Sequence, residues 1–418
     1  MHAADIHLDS PLRELSFEEG SQIDRLRRAT RDAFERLVDF CIEQEAAFLI
    51  LAGDLYDHDY PNMQVAVFFR TQLSRLHAKG IRVIIKKGNH DADNKITSAL
   101  DLPSNTRVLS ERHPETILFD DLPIKVAVHG QSFSPGPVTE NLALSYPSPV
   151  PGYFNIGVLH TSLSGSPDHA VYSPCKIEDL TTRGYDYWAL GHVHKASVLS
   201  RDPWVVYPGN LQGRHSRETG PKGCVLVTVE NAQVLHVESI PLDVIRWSQI
   251  QIDLAGVSSE IGLMDKIRFE FTKLLRESDG RPCAFRVNLN GPTLLHNTIE
   301  NRPLRLRQGI LELAGEIGGD DLWLEKVKDY TTAVKAENES DQGEAAGELF
   351  RIMRELLEED EGVLALLKAE LEPLRGKLPE DLKGLAGIDP QDGVQWVKET
   401  FGRLEPSLLL RLSGEKDS

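Results

Sequence analysis

Two stretches decide the fold: Phe48–Asp57, FLILAGDLYD, and Ile81–Asp91, IRVIIKKGNHD. Each opens with a short apolar run rich in β-formers. Each then breaks at a glycine and ends in polar residues able to bind a cation or move a proton. A buried strand that ends in a tight polar turn reads this way. Ahead of the first lies Thr30–Ala46, TRDAFERLVDFCIEQEA, in which Phe34, Leu37, Val38, Cys41 and Ile42 recur at helical spacing. Further strand candidates follow in IKVAVHG, FNIGVLH, YDYWALGHVH, WVVYPG and GCVLVTVE. Strand–helix–strand order predicts a layered α/β domain over residues 1–240, with its site on the loops after the strand C-termini.

Around Ile240 the pattern changes. VIRWSQIQIDL and CAFRVNLNG read as strands on either side of a helix, SEIGLMDKIRFEFTKLL, which predicts a small α/β domain over 241–335. AENESDQGEAAG, from 336, has the polar, acidic composition of a linker. ELFRIMRELL and GVLALLKAELEPL have the apolar spacing of amphipathic helices, so 336–418 is expected to be an acidic linker followed by a helical region.

Composition narrows the class. The chain has 418 residues, 40% hydrophobic and 26% charged, long enough for two or three domains. No apolar run nears the ~20 residues of a membrane-spanning helix. Four widely spaced cysteines form no CxxC pair, which argues against a zinc ribbon or disulfide framework and suits a reducing cytoplasm. The net charge of −18 speaks against a broad nucleic-acid grip, but residues 337–372 set twelve carboxylates against three bases and hold half of that excess.

Five strings carry the chemistry: AADIH (Asp5, His7), GDLYD (Asp54, Asp57), GNHD (Asn89, His90, Asp91), VLH (His160) and GHVH (His192, His194). Each ends an apolar run. In extended chain, ligands two residues apart point the same way. The glycine before Asp54, Asn89 and His192 lets the backbone turn sharply and approach an ion. Asp5, His7, Asp54, Asn89, His160, His192 and His194 are all oxygen or nitrogen donors, a set suited to Mn²⁺, Fe²⁺ or Zn²⁺. Seven ligands are too many for one ion and fit two that share a carboxylate. Two ions about 3.5–4 Å apart can clamp a phosphoryl group through in-line displacement.

The five strings resemble the calcineurin-like metallophosphoesterase superfamily, whose pattern is D-x-H, G-D, G-N-H-[DE], H and G-H-x-H. ADIHLDSPL, TRDAFERLVDFCIEQEAAFLILAGDLYD and YPGNLQGRHSRETGPKGCVLV are similar to the SbcD/YhaO-like DNA repair exonucleases. The motifs span roughly residues 1–230. The resemblance implies a sandwich of two mixed sheets flanked by helices, a small capping domain and a partner-binding C-terminus. It implies one metal on Asp5, His7, Asp54 and His194 and a second, Mn²⁺ for preference, on Asp54, Asn89, His160 and His192. His90 becomes the general acid, oriented by Asp91. It further implies 3′→5′ exonuclease action on duplex ends, an SMC-like coiled-coil ATPase partner and a homodimer.

Similar proteins carry apolar residues ahead of the first motif, where Met1 here directly precedes His2; the expectation is a first strand clipped at its start. Asp57 reads as local turn structure more than as function, His129 as a satisfied loop histidine, and His2 as support for the first strand. Lys195, Arg214, His215, Arg217 and Lys222 form either a phosphate-backbone contact or a solvated loop, and Lys86 and Lys87 are a second basic candidate. Two other readings stay open. One is a phosphatase or cyclic-nucleotide phosphodiesterase of the same superfamily, although the chain lacks the Arg of the phosphoprotein-phosphatase string GDxxDRG. The other is a non-catalytic scaffold, against which the intact ligand set and His90 argue.

Overall fold

The computed structural model describes residues 1–10, 21–57, 63–92, 101–163, 172–334 and 351. The expected linker and C-terminal helices therefore lie outside the described residues, save Arg351. The described residues fall into two compact units, Met1–Ile252 with Met264–Asn288 and Arg307–Lys328, and a second that includes Asp253–Leu263, Leu289–Leu306 and 329–334.

The first unit holds two six-stranded sheets. In one, β1 (His2–Ala3), β2 (Phe48–Ala52), β3 (Arg82–Lys86) and β4 (Thr106–Val108) run parallel. Its other edge is antiparallel, β11 (Gly223–Glu230) on β1 and β12 (Gln233–Pro241) on β11. In the other sheet, β6 (Val126–Gly130), β7 (Phe154–His160), β8 (Tyr187–Gly191) and β10 (Trp204–Tyr207) are parallel. Antiparallel β5 (Glu115–Phe119) and β9 (Ser197–Arg201) close its edges.

The period of two along each strand sorts residues into layers. Ile50, Ala52 and Ile84 meet Ile156, Val158, Tyr187 and Ala189 in the core between the sheets. Leu49, Leu51, Val83 and Ile85 face the opposite way, onto Phe34, Leu37, Val38 and Cys41 of α1 (Ser21–Glu43) and Phe69, Leu73 and Leu76 of α2 (Met63–Ala78). Trp188 and Leu190 turn outward under Tyr146 and Leu180. Strands buried on both faces are the near-continuous apolar runs visible in the sequence. Each fully buried Leu, Val or Phe contributes about 1.5–3 kcal/mol. Helix α1 stops where Glu45 takes φ 48° and the Ala46 N–H closes on the Cys41 carbonyl at 3.0 Å, a left-handed C-terminal cap.

His2 links the layers. Its Nε2–H donates to the Leu190 carbonyl and its Nδ1 accepts from the Tyr187 hydroxyl, both at 3.0 Å, so a neutral ring ties β1 to β8. The expected support for the first strand is thus a contact between sheets. His129 also has both nitrogens engaged, by Thr116 at 2.8 Å and Asn155 at 3.0 Å.

Beyond Ile240, β13 (Arg246–Asp253), β14 (Cys283–Thr293) and β15 (Leu322–Ala333) form a third sheet in that order. The expected helix between the first two of these is Glu260–Glu277. Trp247 and Trp323 pack with Leu26 and Ala29 of α1 in the first unit. The strand read in VIRWSQIQIDL is β13, and that read in CAFRVNLNG lies in β14. Packing nevertheless groups residues 264–288 and 307–328 with the sandwich.

Burial lowers the His2 pKa to about 3, against roughly 6.5 in an unfolded chain. Between those values the unfolded state takes up a proton that the folded state refuses, so stability falls as pH falls through this window. Urea midpoints at pH 7.5 and 5.5 are expected to show a loss of about 1 kcal/mol from this residue, absent in His2→Gln.

Candidate active site

The five polar strings converge at the C-terminal ends of β1, β2, β3, β7 and β8. Backbone bonds lace the first two together: Asp5 N–H to Gly53 O (3.0 Å), His7 N–H to Asp54 O (3.0 Å) and Leu8 N–H to Leu55 O (2.8 Å). Asp5, His7, Asp54 and His192 have φ of 50°, 47°, 52° and 99°, sparsely populated values concentrated at this one place. The glycines matter by what they leave empty. A Cβ on Gly53 would strike the His160 ring, one on Gly88 the Asp54 carboxylate, and one on Gly191 the Ala52 carbonyl.

Three donor sets result among the described residues; one is His7/Asp57/His90, and the other two are made only of expected ligands. In each of Asp5/His7/His194 and Asp54/His160/His192, one ligand atom from every residue lies within 4.8 Å of the others. Asp54 Oδ2 faces both sets, 3.3 Å from His160 Nε2 and 3.9 Å from His7 Nε2. Asn89 Oδ1 lies 3.1 Å from His160 Nε2, and His194 Nε2 lies 3.8 Å from Asp5 Oδ1. All seven ligand candidates are therefore together. Three rings share one arrangement, with Nδ1 anchored and Nε2 turned inward. His7 Nδ1 meets Asp57 (2.7 Å), His160 Nδ1 the Ala52 carbonyl (2.9 Å) and His194 Nδ1 Glu218 (2.6 Å).

This arrangement fits a pair of cations. His7 Nε2 is buried and makes no hydrogen bond. Asp5 and Asp54 are buried carboxylates close together; burial and the charge of Asp54 push Asp5 well above the usual range. Such groups are costly without a positive charge to meet them. No thiol is present: all four cysteines are free and buried elsewhere.

His90 sits at the rim, a third of its side chain exposed, with Nδ1 3.2 Å from Asp57. Burial alone would lower its pKa, but the Asp57 contact and the charges of Asp54 and Asp57 outweigh this and raise it. Asp91, expected to orient His90, has its carboxylate oxygens engaged by backbone. Its carboxylate accepts from the backbone N–H of Leu55 (2.8 Å), Tyr56 (3.0 Å) and Gly88 (3.0 Å), pinning the GDLYD turn to the GNHD turn. Asp57, read from sequence as a turn residue, instead touches His7, His90 and the Ser10 hydroxyl. Spacing could not separate the two, because both carboxylates lie within a few residues of a motif. Glu218 was missed altogether; no local string marks a carboxylate that reaches His194 from 24 residues away.

The basic candidates divide. Lys86 is fully buried, its ammonium 3.6 Å from the Phe133 ring centroid and donating to the Lys87 carbonyl; burial lowers its pKa to about 7. Lys87 is buried against Glu111 at 2.7 Å, and Lys222 donates to the His194 carbonyl at 2.7 Å. All three are buried and have partners within the protein. Arg214 lies inside the site between Glu218 (3.2 Å) and Asp57 (3.7 Å). Lys195 and Arg217 are exposed, and His215 is about two-fifths exposed.

Comparison with known proteins bears on this geometry. The calcineurin-like phosphoesterase family matches residues 1–196, and the middle domain of metallophosphoesterase YhaO matches residues 247–332. An uncharacterized metallophosphoesterase, YhaO of Bacillus subtilis (strain 168), is 35% identical over 293 residues, 70% of this chain and 71% of that protein. The chain belongs to the calcineurin-like metallophosphoesterases. It is a hydrolase of phosphoester bonds, built on a fold that generally uses two divalent metals. More distant similarity links it to the DNA double-strand break repair protein Mre11 of Methanopyrus kandleri, 27% identical over 62% of this chain and 59% of that protein. The SbcD component of nuclease SbcCD from Staphylococcus epidermidis is 22% identical over 60% of this chain and 71% of that protein. Among the described residues, no helix is long and apolar enough to cross a membrane.

Asp91→Asn would set an amide N–H₂ against a backbone N–H that now donates to a carboxylate. The expected loss is about 1–3 kcal/mol of stability, read as a lower urea midpoint of the metal-free protein.

Proposed function

We propose that this metallophosphoesterase is a DNA phosphodiesterase, a 3′→5′ exonuclease with endonuclease capacity, acting in cytoplasmic DNA repair beside an SMC-like ATPase. The observation that carries the reading is the double donor set joined at Asp54 Oδ2, with His90 at its rim. Similarity to Mre11 and to the SbcD component of nuclease SbcCD supports DNA as the substrate.

In this reading Asp5, His7, Asp54 and His194 hold one ion, and Asp54, Asn89, His160 and His192 the other, Mn²⁺ in preference to Fe²⁺ or Zn²⁺. The ions supply Lewis-acid polarisation of the phosphoryl group and a nucleophile at neutral pH. The remaining work belongs to the side chains. His90, Nδ1 turned toward Asp57, gives its Nε2 proton to the leaving 3′ oxygen. The Asp57 contact and the charges of Asp54 and Asp57 raise its pKa, which favours the protonated ring. Asp57 holds His7 and His90 at one carboxylate, so the geometry of a metal ligand and of the acid are set together.

Lys195, His215 and Arg217, the exposed members of the basic stretch, contact the DNA backbone. Such contacts carry no sequence information, and none of the chain's motifs reads bases. The net charge of −18 limits the grip to a small footprint, with the remaining DNA affinity coming from partners. The ATPase docks on the helical region expected within 336–418, and a second copy on the phosphoesterase domain.

With Mn²⁺ and linear duplex DNA, Asn89→Ala and His90→Ala should both lose cleavage, His90→Ala by about 10²–10⁴-fold. His90→Ala should retain both metal equivalents by elemental analysis. Brisk phosphomonoester hydrolysis without DNA cleavage would replace this reading with that of a phosphatase. The double change Lys195→Ala, Arg217→Ala should weaken DNA binding alike for all sequences and lower the slope of log K against log salt by roughly 2.

A further inference from the structure

The geometry points to Glu218 as a positioning residue that sets how His194 meets its ion, so that one of the two metal positions depends on Glu218 and the other does not. The inference rests on the reading of His194 as a ligand.

Glu218 is 6% exposed and fully engaged. Its Oε1 accepts from His194 Nδ1 at 2.6 Å and lies 3.2 Å from the Arg214 guanidinium. Its Oε2 accepts from the Arg214 backbone N–H at 2.7 Å and from Asn210 Nδ2 at 3.0 Å. Lys222 Nζ holds the His194 carbonyl at 2.7 Å, so ring and backbone of His194 are both fixed from residues 210–222. An ionised carboxylate only accepts hydrogen bonds. Arg214 Nη2 also approaches His194 Nδ1, but at 3.4 Å against 2.6 Å for Glu218 Oε1, so the shorter contact sets the proton of a neutral His194 on Nδ1 and the lone pair on Nε2, the nitrogen 3.8 Å from Asp5. A carboxylate behind an imidazole also makes it a stronger donor than a neutral partner does.

The two donor sets differ in this respect. His7 and His194, with Asp5, are backed by the carboxylates of Asp57 and Glu218. His160, in the other set, is backed by the neutral Ala52 carbonyl. Neutralising Glu218 therefore removes support from one set alone.

The test is titration of the metal-free full-length chain with Mn²⁺ by calorimetry and equilibrium dialysis. For Glu218→Gln, one of two binding steps is expected to weaken by about 10–100-fold while the other stays put. His194→Ala should lose that same step. If His194→Ala binds like wild type, the ligand reading fails and this inference with it. If His194→Ala loses a step but Glu218→Gln does not, the inference alone is overturned. Equal weakening of both steps, with a lower melting temperature of the metal-free protein, would make Glu218 a general structural brace and overturn it too. The tautomer is read independently of any variant from ¹⁵N histidine spectra of metal-free wild type. Nδ1–H at His194 is expected; Nε2–H contradicts the proposal whatever Glu218→Gln does.

Discussion

Asp5 and Asp54 are two buried carboxylates whose nearest polar surroundings are histidines and backbone N–H groups. Two like charges held this close in a poorly solvated interior repel, and burial disfavours both. A pair of divalent cations would resolve that conflict, and the candidate donor sets lie where they could. The ends of five strands deliver the candidate ligands, and Gly53, Gly88 and Gly191 clear the space that Cβ atoms would fill. The rings of His7, His160 and His194 are each pinned at Nδ1 so that Nε2 looks inward.

The sandwich can bear such a site because its apolar layers are continuous on both sides of it. Ile50, Ala52 and Ile84 pack against the second sheet while their neighbours Leu49, Leu51 and Val83 pack against α1 and α2. The strands beneath the ligands thus have little room to shift, and positive φ angles at Asp5, His7, Asp54 and His192 can persist where a looser frame would relax them. His2 adds a polar tie between the sheets a few residues from Asp5.

Three carboxylates near the motifs have quite different duties. Asp91 joins two turns by accepting backbone N–H groups, Asp57 joins His7 to His90, and Glu218 joins His194 to the loop that carries Arg214. Hydrogen-bond partners separate these roles, and sequence proximity to a ligand does not. Lys86 and Lys87 teach the same lesson with the opposite sign. Beside GNHD they read as basic surface, yet strand alternation and the packing of Phe133 and Glu111 draw both inside.

The sequence by itself determined the layered α/β frame, the strand ends and the seven ligand candidates. These follow from local rules: apolar period, glycine at the break, and paired donors two residues apart in extended chain. It also gave the strand read in VIRWSQIQIDL, which is β13. Tertiary structure alone decided which carboxylate faces His90, that Glu218 stands behind His194, and which of the basic residues remain at the surface. Those outcomes depend on side chains brought together from 24 to more than 30 positions apart, and no spacing along the chain encodes where a side chain points once two sheets have closed on each other.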